Sequence, residues 1–200
     1  MSKKLLSAND YIDEFFKNIT HINNEFDNIR FEGCIFQNCN FSETTFNQCN
    51  FYDCEFINSN ISLIHIPQTI FRDVTFSDCK IVGVDWTKAH WPSIKIPGAF
   101  NFVRSILNDC IFFGIYLADS KMIECKIHSA DFTEANCEEL DFNLSDLSET
   151  VFHHTKLSGA NFSQSINYSI HIFHNDIKNA KFSLPEAASL LNGLDIEIVD

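Results

Sequence analysis

Eight cysteines stand out first in this 200-residue chain, four of them at Cys34, Cys39, Cys49 and Cys54. Closely spaced thiolates hold zinc, and pairs of them form disulfides. Eight histidines, among them His153, His154, His171 and His174, offer imidazoles for metal binding or proton transfer. A third set is acidic. Asp131, Glu134, Glu138, Glu139, Asp141, Asp146 and Glu149 fall in twenty residues without a Lys or Arg, and residues 31–71 also lack both. Carboxylates at that density suit contact with a basic partner. No Gly-rich phosphate loop, nucleophile elbow or HExxH motif occurs, so the chain reads as a non-enzyme with no catalytic residue and no cofactor.

What positions these residues is a period. Every fifth residue from Phe26 through Phe31, Phe36, Phe41, Phe46, Phe51 and Phe56 to Ile96 is apolar. After Ile96 the phase slips by one residue, and a second series runs from Phe102 to Phe182, apolar throughout except at Asn167. Two residues before each centre stands a small or medium side chain, such as Cys34, Cys39, Thr44, Ser59, Ala130 or Ser145. Residues two apart on an extended segment share a face, so both columns point inward and the other three positions face solvent. An α-helix would precess by roughly 140° per five residues and smear the phenylalanines around its surface. A straight strand would alternate their faces, because five is odd. A short extended piece and a corner, repeated with each coil paired to the next, satisfies the period: a β-solenoid.

The period reassigns the cysteines. Seven sit in the column before a centre and Cys137 is itself a centre, so all eight are core fillers and no metal site is expected. Cys34 and Cys54 should stack within disulfide reach, but as free thiols in a reducing cytoplasm, where the lack of a signal sequence or membrane span places the protein. The histidines read as solvated. The slip at Pro97, Gly98, Ala99, Phe100 and Asn101 marks a small loop, either a tolerated insertion or a partner-contacting protrusion. Beyond Phe182, Ser183 to Glu186 resembles a capping box, Ala187 to Leu191 a short helix ending at Gly193, and Leu194 to Val199 a strand. That tail caps the last coil, and Leu190, Leu191, Leu194, Ile196 and Ile198 offer a surplus apolar stripe for homodimerisation. The layout is an N-terminal cap over residues 1–25, repeats over 26–182 and a cap over 183–200. A net charge of −13 argues against direct nucleic-acid or membrane binding; the acidic run is either a solubilising surface or a negatively charged rod resembling duplex DNA.

Units such as Cys39-Asn40-Phe41-Ser42-Glu43 and Ala160-Asn161-Phe162-Ser163-Gln164 resemble the A(D/N)LXX consensus of pentapeptide-repeat proteins. The resemblance implies a right-handed, four-sided β-helix in which residues twenty apart stack, with ladders such as Phe31, Phe51, Phe71, Trp91. The Cys/Phe-rich early coils, the single interruption and the tail are similar to the Qnr quinolone-resistance and McbG-type microcin immunity proteins. That likeness implies a dimer through the C-terminal end that binds DNA gyrase or topoisomerase IV as a DNA mimic and protects it from a quinolone or microcin-like poison. The alternative is a structural scaffold or host-interaction protein with an unrelated partner.

Overall fold

The computed structural model describes residues 10–194 and 196. Its all-β chain winds into a right-handed four-sided helix of about nine turns. The strands are β1 (Asp10–Ile12), β2 (Phe15–Lys17), β3 (Glu25–Asp27), β4 (Arg30–Glu32), β5 (Ile35–Gln37), β6 (Thr45–Asn47), β7 (Asn50–Tyr52), β8 (Glu55–Ile57), β9 (Ile70–Arg72), β10 (Val74–Ser77), β11 (Phe100–Val103), β12 (Lys121–Ile123), β13 (Asn161–Phe162) and β14 (Lys181–Phe182). They are this short because a residue at positive φ turns the chain every five positions, as at Asn38, Asp53, Asn58 and Glu139. Asn and Asp tolerate that left-handed conformation better than most side chains, which explains their abundance at the corners.

Pairing among the described strands is parallel, with register twenty outside one insertion: Phe31 opposite Phe51, Phe36 opposite Phe56, Phe26 opposite Phe46. The rings therefore stack at 4.9, 4.6 and 5.4 Å between centroids. The first side holds β1, β4, β7 and β9, and the second β2, β5, β8, β10, β11 and β12. Isolated bridges such as Asn40 to Asn60 build the third side; β3, β6 and bridges such as Ile111 to Asp131 build the fourth. The column before each centre has a second task beyond filling space. Its thiol or hydroxyl donates to the carbonyl of a centre one coil below, as from Cys34 to Tyr11 (3.3 Å), Cys79 to Phe56 (3.3 Å), Ser59 to Phe36 (3.1 Å) and Thr155 to Phe132 (2.9 Å). The Asp or Asn before many centres accepts the N–H two residues on, as Asn40 does from Ser42 and Asp131 from Thr133.

Four expectations are corrected. Coiling starts by Asp10, within the stretch assigned to a cap: β1 pairs with β4, β2 with β5, and Tyr11 and Phe16 stack on Phe31 and Phe36. The interruption is larger than one residue. Across it the register is 26, with Phe76 opposite Phe102, where every other coil has 20, so six residues are inserted. Six exceeds one repeat by one, and a five-residue period registers only the remainder. The excursion covers residues 91–97, of which 92–97 are exposed, whereas Phe100 and Asn101 belong to β11 and Phe100 is fully buried. Trp91 consequently leaves the Phe71 ladder and packs edge-on against Phe100 at 5.9 Å.

The third correction concerns Asn167. It turns outward at φ 60°, its amide donating to Asp146 (2.8 Å), while Tyr168 and Ile170 enter the core in its place. The fourth is the tail. Glu186–Gly193 is a 3-10 helix whose N-cap is Pro185, which has no side-chain acceptor, and not Ser183, whose hydroxyl accepts the Gln164 N–H of the previous coil (3.1 Å). Leu194 and Ile196 lie outside any strand; Ile198 and the rest of that expected strand fall outside the described residues.

Candidate functional site: an acidic corner

Four repeats per coil mean that twenty consecutive residues encircle the rod. The seven acids from Asp131 to Glu149 accordingly form a girdle around all four sides, rather than a face. They also differ in availability. Asp131, Asp141 and Asp146 are half-buried in the position before a centre, where they accept N–H groups from Thr133 (2.8 Å), Asn143 (3.0 Å) and Ser148 (3.2 Å). Asp146 is further held by Ser148 Oγ (2.7 Å), Asn167 Nδ2 (2.8 Å) and His128 Nε2 (2.9 Å). Its partial burial alone would raise its pKa, but the hydrogen bonds from Asn167 and Ser148 and the close imidazole of His128 outweigh that and lower it to about 2. Glu134, Glu139 and Glu149 are exposed at corners and Glu138 is half-exposed; Glu138 accepts from Asn136 Nδ2 and Glu149 from Ser129 Oγ, both at 3.0 Å, and all four reach solvent, where a partner can meet them.

A second acidic array appears only when coils are stacked. The corner between the first and second sides carries Asp13, Gly33, Asp53, Asp73, then, beyond the insertion, Asp119, Glu139 and Gly159. Each has a positive φ, between 51° and 71°. The N–H of Asp13, Gly33 and Asp53 each donates to the next coil, at 2.8, 3.0 and 3.0 Å, which fixes the column. The two glycines have a steric reason. A Cβ at Gly33 would lie 2.2 Å from Asp13 Oδ1, and one at Gly159 would lie 2.1 Å from Glu139 Oε1, so each glycine lets the carboxylate below lean along the ridge. Glu32 and Glu138 flank the corner on one side, Glu55 and Asp141 on the other. Arg72 offsets part of this charge, its Nε being 4.0 Å from Asp73. The ridge was visible in the sequence as acids at a spacing of twenty, but the six-residue insertion breaks that spacing between Asp73 and Asp119.

The predicted loop and tail residues are found elsewhere. Pro97 and Gly98 close the excursion on the first side, with Gly98 N–H donating to Ala118 (2.7 Å), and Ala99 is buried beneath them. Leu190 packs on the last coil, whereas Leu191 and Ile196 are exposed there, as are Phe173 and Leu184. The histidines are less scattered than the sequence indicates. His153, His154, His171 and His174 converge near that end, with ring centroids 3.9 to 6.3 Å apart. The charge of His171 first, then a slight loss of hydration and the other two imidazoles, hold the pKa of the exposed His174 below its usual value. Among the described residues no three His, Cys, Asp or Glu side chains are placed to hold a metal ion.

All eight cysteines are free and buried. Burial pushes Cys49 up to about 11 and Cys79, Cys110 and Cys125 up to about 12. Cys54 is also pushed up, by its hydrogen bond with Cys34 and then by burial.

With the square coils and their inward columns in place, sequence comparison agrees with the architecture. A model described as "Pentapeptide repeat region" matches residues 29–99, and one described as "Pentapeptide repeats (8 copies)" matches 110–148 and 125–164. This chain belongs to the pentapeptide-repeat proteins. Similar solved structures include two trypsin-treated variants of QnrB1, a plasmid-mediated fluoroquinolone resistance protein. The first has TM-score 0.62 at 16% identity, covering 96% of this chain and 98% of that one; the second has 0.57 at 17%, covering 97% and 100%. HetL, a pentapeptide-repeat protein involved in heterocyst differentiation regulation from the cyanobacterium Nostoc sp. strain PCC 7120, is similar at TM-score 0.50 and 15% identity over 86% of each chain. No curated protein matches in sequence. At these identities the likeness is one of fold. No described helix is long and apolar enough to cross a membrane.

Proposed function

We infer that this pentapeptide-repeat protein binds DNA gyrase or topoisomerase IV as a DNA mimic and shields the enzyme from a quinolone or microcin-like poison. The observation that carries the reading is the acidic corner of Asp13, Asp53, Asp73, Asp119 and Glu139, a line of carboxylates at multiples of the strand spacing of about 4.8 Å on a rod that cannot easily bend. A rigid row of charge presents its field without the entropy cost of ordering a flexible acidic tail, and a basic DNA-binding saddle is its natural complement. The overall likeness to QnrB1 supports the same reading at the level of shape. Exposed Leu191 and Ile196 at the last coil support a homodimer through that end, which would double the rod's length. The protein acts in the cytoplasm, where its free thiols stay reduced.

The test is a gyrase pull-down and supercoiling assay across a salt series, using a variant with Asp13, Asp53 and Asp119 changed to Asn and Glu139 to Gln. Asn and Gln already occupy equivalent corners at Asn58 and Gln48, so the fold tolerates them. The variant should bind at least tenfold more weakly and with a shallower salt dependence, because exposed charges are screened over about 8–10 Å. A girdle variant, with Glu134, Glu138 and Glu149 changed to Gln, should lose less. Unchanged binding by the corner variant rejects the ridge. If the wild-type protein binds neither topoisomerase, the scaffold reading replaces this one.

A further inference from the structure

The first side lacks one strand. Its sheet runs β1, β4, β7, β9 and stops, while the second side continues from β10 through β11 to β12. The excursion at residues 91–97 leaves the wall where the next strand belongs. Elsewhere a centre residue sends its N–H to the carbonyl nineteen positions on, as Phe41 does to Asn60 and Phe46 to His65, both at 2.8 Å; the corner residue does the same, as Asp53 does to Arg72 at 3.0 Å. Phe71 and Asp73 have no such acceptor among the described residues. From the other rim, Asn136 donates back to Ile115 at 2.9 Å, but Tyr116, one coil earlier, finds no backbone acceptor among the described residues. The strand edge is thus open from below and from above.

Between these rims lies a cleft of about 390 Å³, within the range of ligand sites. Its walls are apolar: Ile70, Phe71, Trp91, Ile94, Ile96 and Ile115. Two cations border it, each against a tyrosine. The Arg72 guanidinium lies 4.3 Å from the Tyr52 ring centroid and the Lys95 ammonium 5.3 Å from that of Tyr116. No carboxylate among the described residues pairs with Lys95, and Arg72 has only the distant contact with Asp73. Open backbone groups on both rims, apolar walls and bordering cations specify one kind of occupant.

We propose that this slot binds an extended peptide segment, with an apolar side chain directed into the cleft and an acidic residue beside Arg72 and Lys95. The segment replaces the missing strand, parallel to β9, and takes up the Phe71, Asp73 and Tyr116 N–H groups with its carbonyls. Main-chain bonds supply affinity and the alternate side chains supply selectivity, as in other strand additions. The inference does not require topoisomerase binding, since the slot uses the backbone N–H of Asp73 whereas the acidic corner presents that residue's carboxylate.

The test uses the full chain, 15N-labelled, with the synthetic peptide acetyl-Asp-Val-Leu-Val-Asp-amide and two controls: the same peptide N-methylated on its central residues, and one with Lys for both Asp. Amide shifts should cluster at Phe71, Asp73, Tyr116 and the 91–97 excursion. N-methylation, whose methyl groups hold the peptide backbone too far from β9 and Tyr116 for its carbonyls to accept those N–H groups, should weaken binding at least tenfold, and the Lys peptide or an Arg72→Glu, Lys95→Glu variant at least fivefold. Both positions are exposed, so that variant should fold normally. Equal binding of the N-methylated peptide, shifts centred elsewhere, or no binding at millimolar peptide each overturns the proposal. 2-Naphthoate giving the same shifts where the peptide gives none would overturn it in favour of a small-molecule cleft.

Discussion

The first and second sides of the rod receive the same insertion and respond differently. On the second side β10 and β11 pair across it, and the Phe76 and Phe102 rings stack at 5.0 Å, as closely as Phe56 and Phe76 at 5.1 Å. On the first side a strand is lost, Phe71 is only partly buried, and Trp91 and Phe100 close the core by tilted and edge-on contacts instead of a stack. Nearest-neighbour stacking explains the contrast. Each repeat contacts mainly the coils above and below, so a wall can open in one place while the other three walls recover the register within one turn. A loop on such a scaffold costs little elsewhere.

Truncation of the stacked rings should separate the two sides most. Phe76→Ala should destabilise by about 3–5 kcal/mol, since it empties a fully buried position between two parallel rings. Phe51→Ala, between Phe31 and Phe71, should cost as much. Phe71→Ala should cost about half of that, because the cleft already exposes part of its ring. Urea melts measure all three, and equal losses at Phe71 and Phe76 would erase the distinction. Deleting residues 92–97 restores a register of 20 and should seat Trp91 on Phe71. Stability should then change by only about 1 kcal/mol in either direction, since shortening a loop recovers little entropy, while the slot disappears. Loss of folding would show that the excursion is structural.

A smaller effect lies on the third side, where Asp146 ties three successive coils through His128 and Asn167. Its folded pKa of about 2 is below the ordinary carboxylate value, so its contribution is present above about pH 4 and lost as pH falls toward 2. Asp146→Asn should flatten the pH dependence of the unfolding free energy across that window, a change that screening at this partly exposed site keeps below about 1 kcal/mol and that urea melts at each pH would read. The smallest effect is at the thiols. Buried cysteines with raised pKa values should resist labelling at pH 8 until the chain unfolds, and native protein should carry no stoichiometric zinc.

Much of the fold was legible because one number, five, is written in the sequence thirty times over. The centres, the column before them and the core role of the cysteines all follow from it. What was not legible falls into two kinds. The insertion was underestimated because a period reports length only modulo itself, so Phe100 was placed in a loop while it fills the core. The candidate site was misjudged because charges adjacent in sequence travel around the rod, while charges adjacent in space lie twenty apart. Asp131 and Asp141 belong to a run in the sequence, although each is engaged in its own turn, whereas Asp13 and Asp119 belong to none and Asp53 stands out only within the stretch 31–71 that lacks Lys and Arg. The open edge at β9 had no sequence signal, since it consists of backbone groups whose partners are missing.

The constant register of the coils has a consequence under load. If the rod is pulled from its two ends, the chain should peel off one coil at a time, because each turn is held to its neighbour by bonds lying along the axis. Releasing twenty residues adds roughly 65 Å of contour, from about 3.5 Å per extended residue less one strand spacing of about 4.8 Å. The coil containing the excursion holds 26 residues and should give one longer step of roughly 85 Å. In a single-molecule stretching record, that irregular tooth in an otherwise even sawtooth would mark the position of the missing strand.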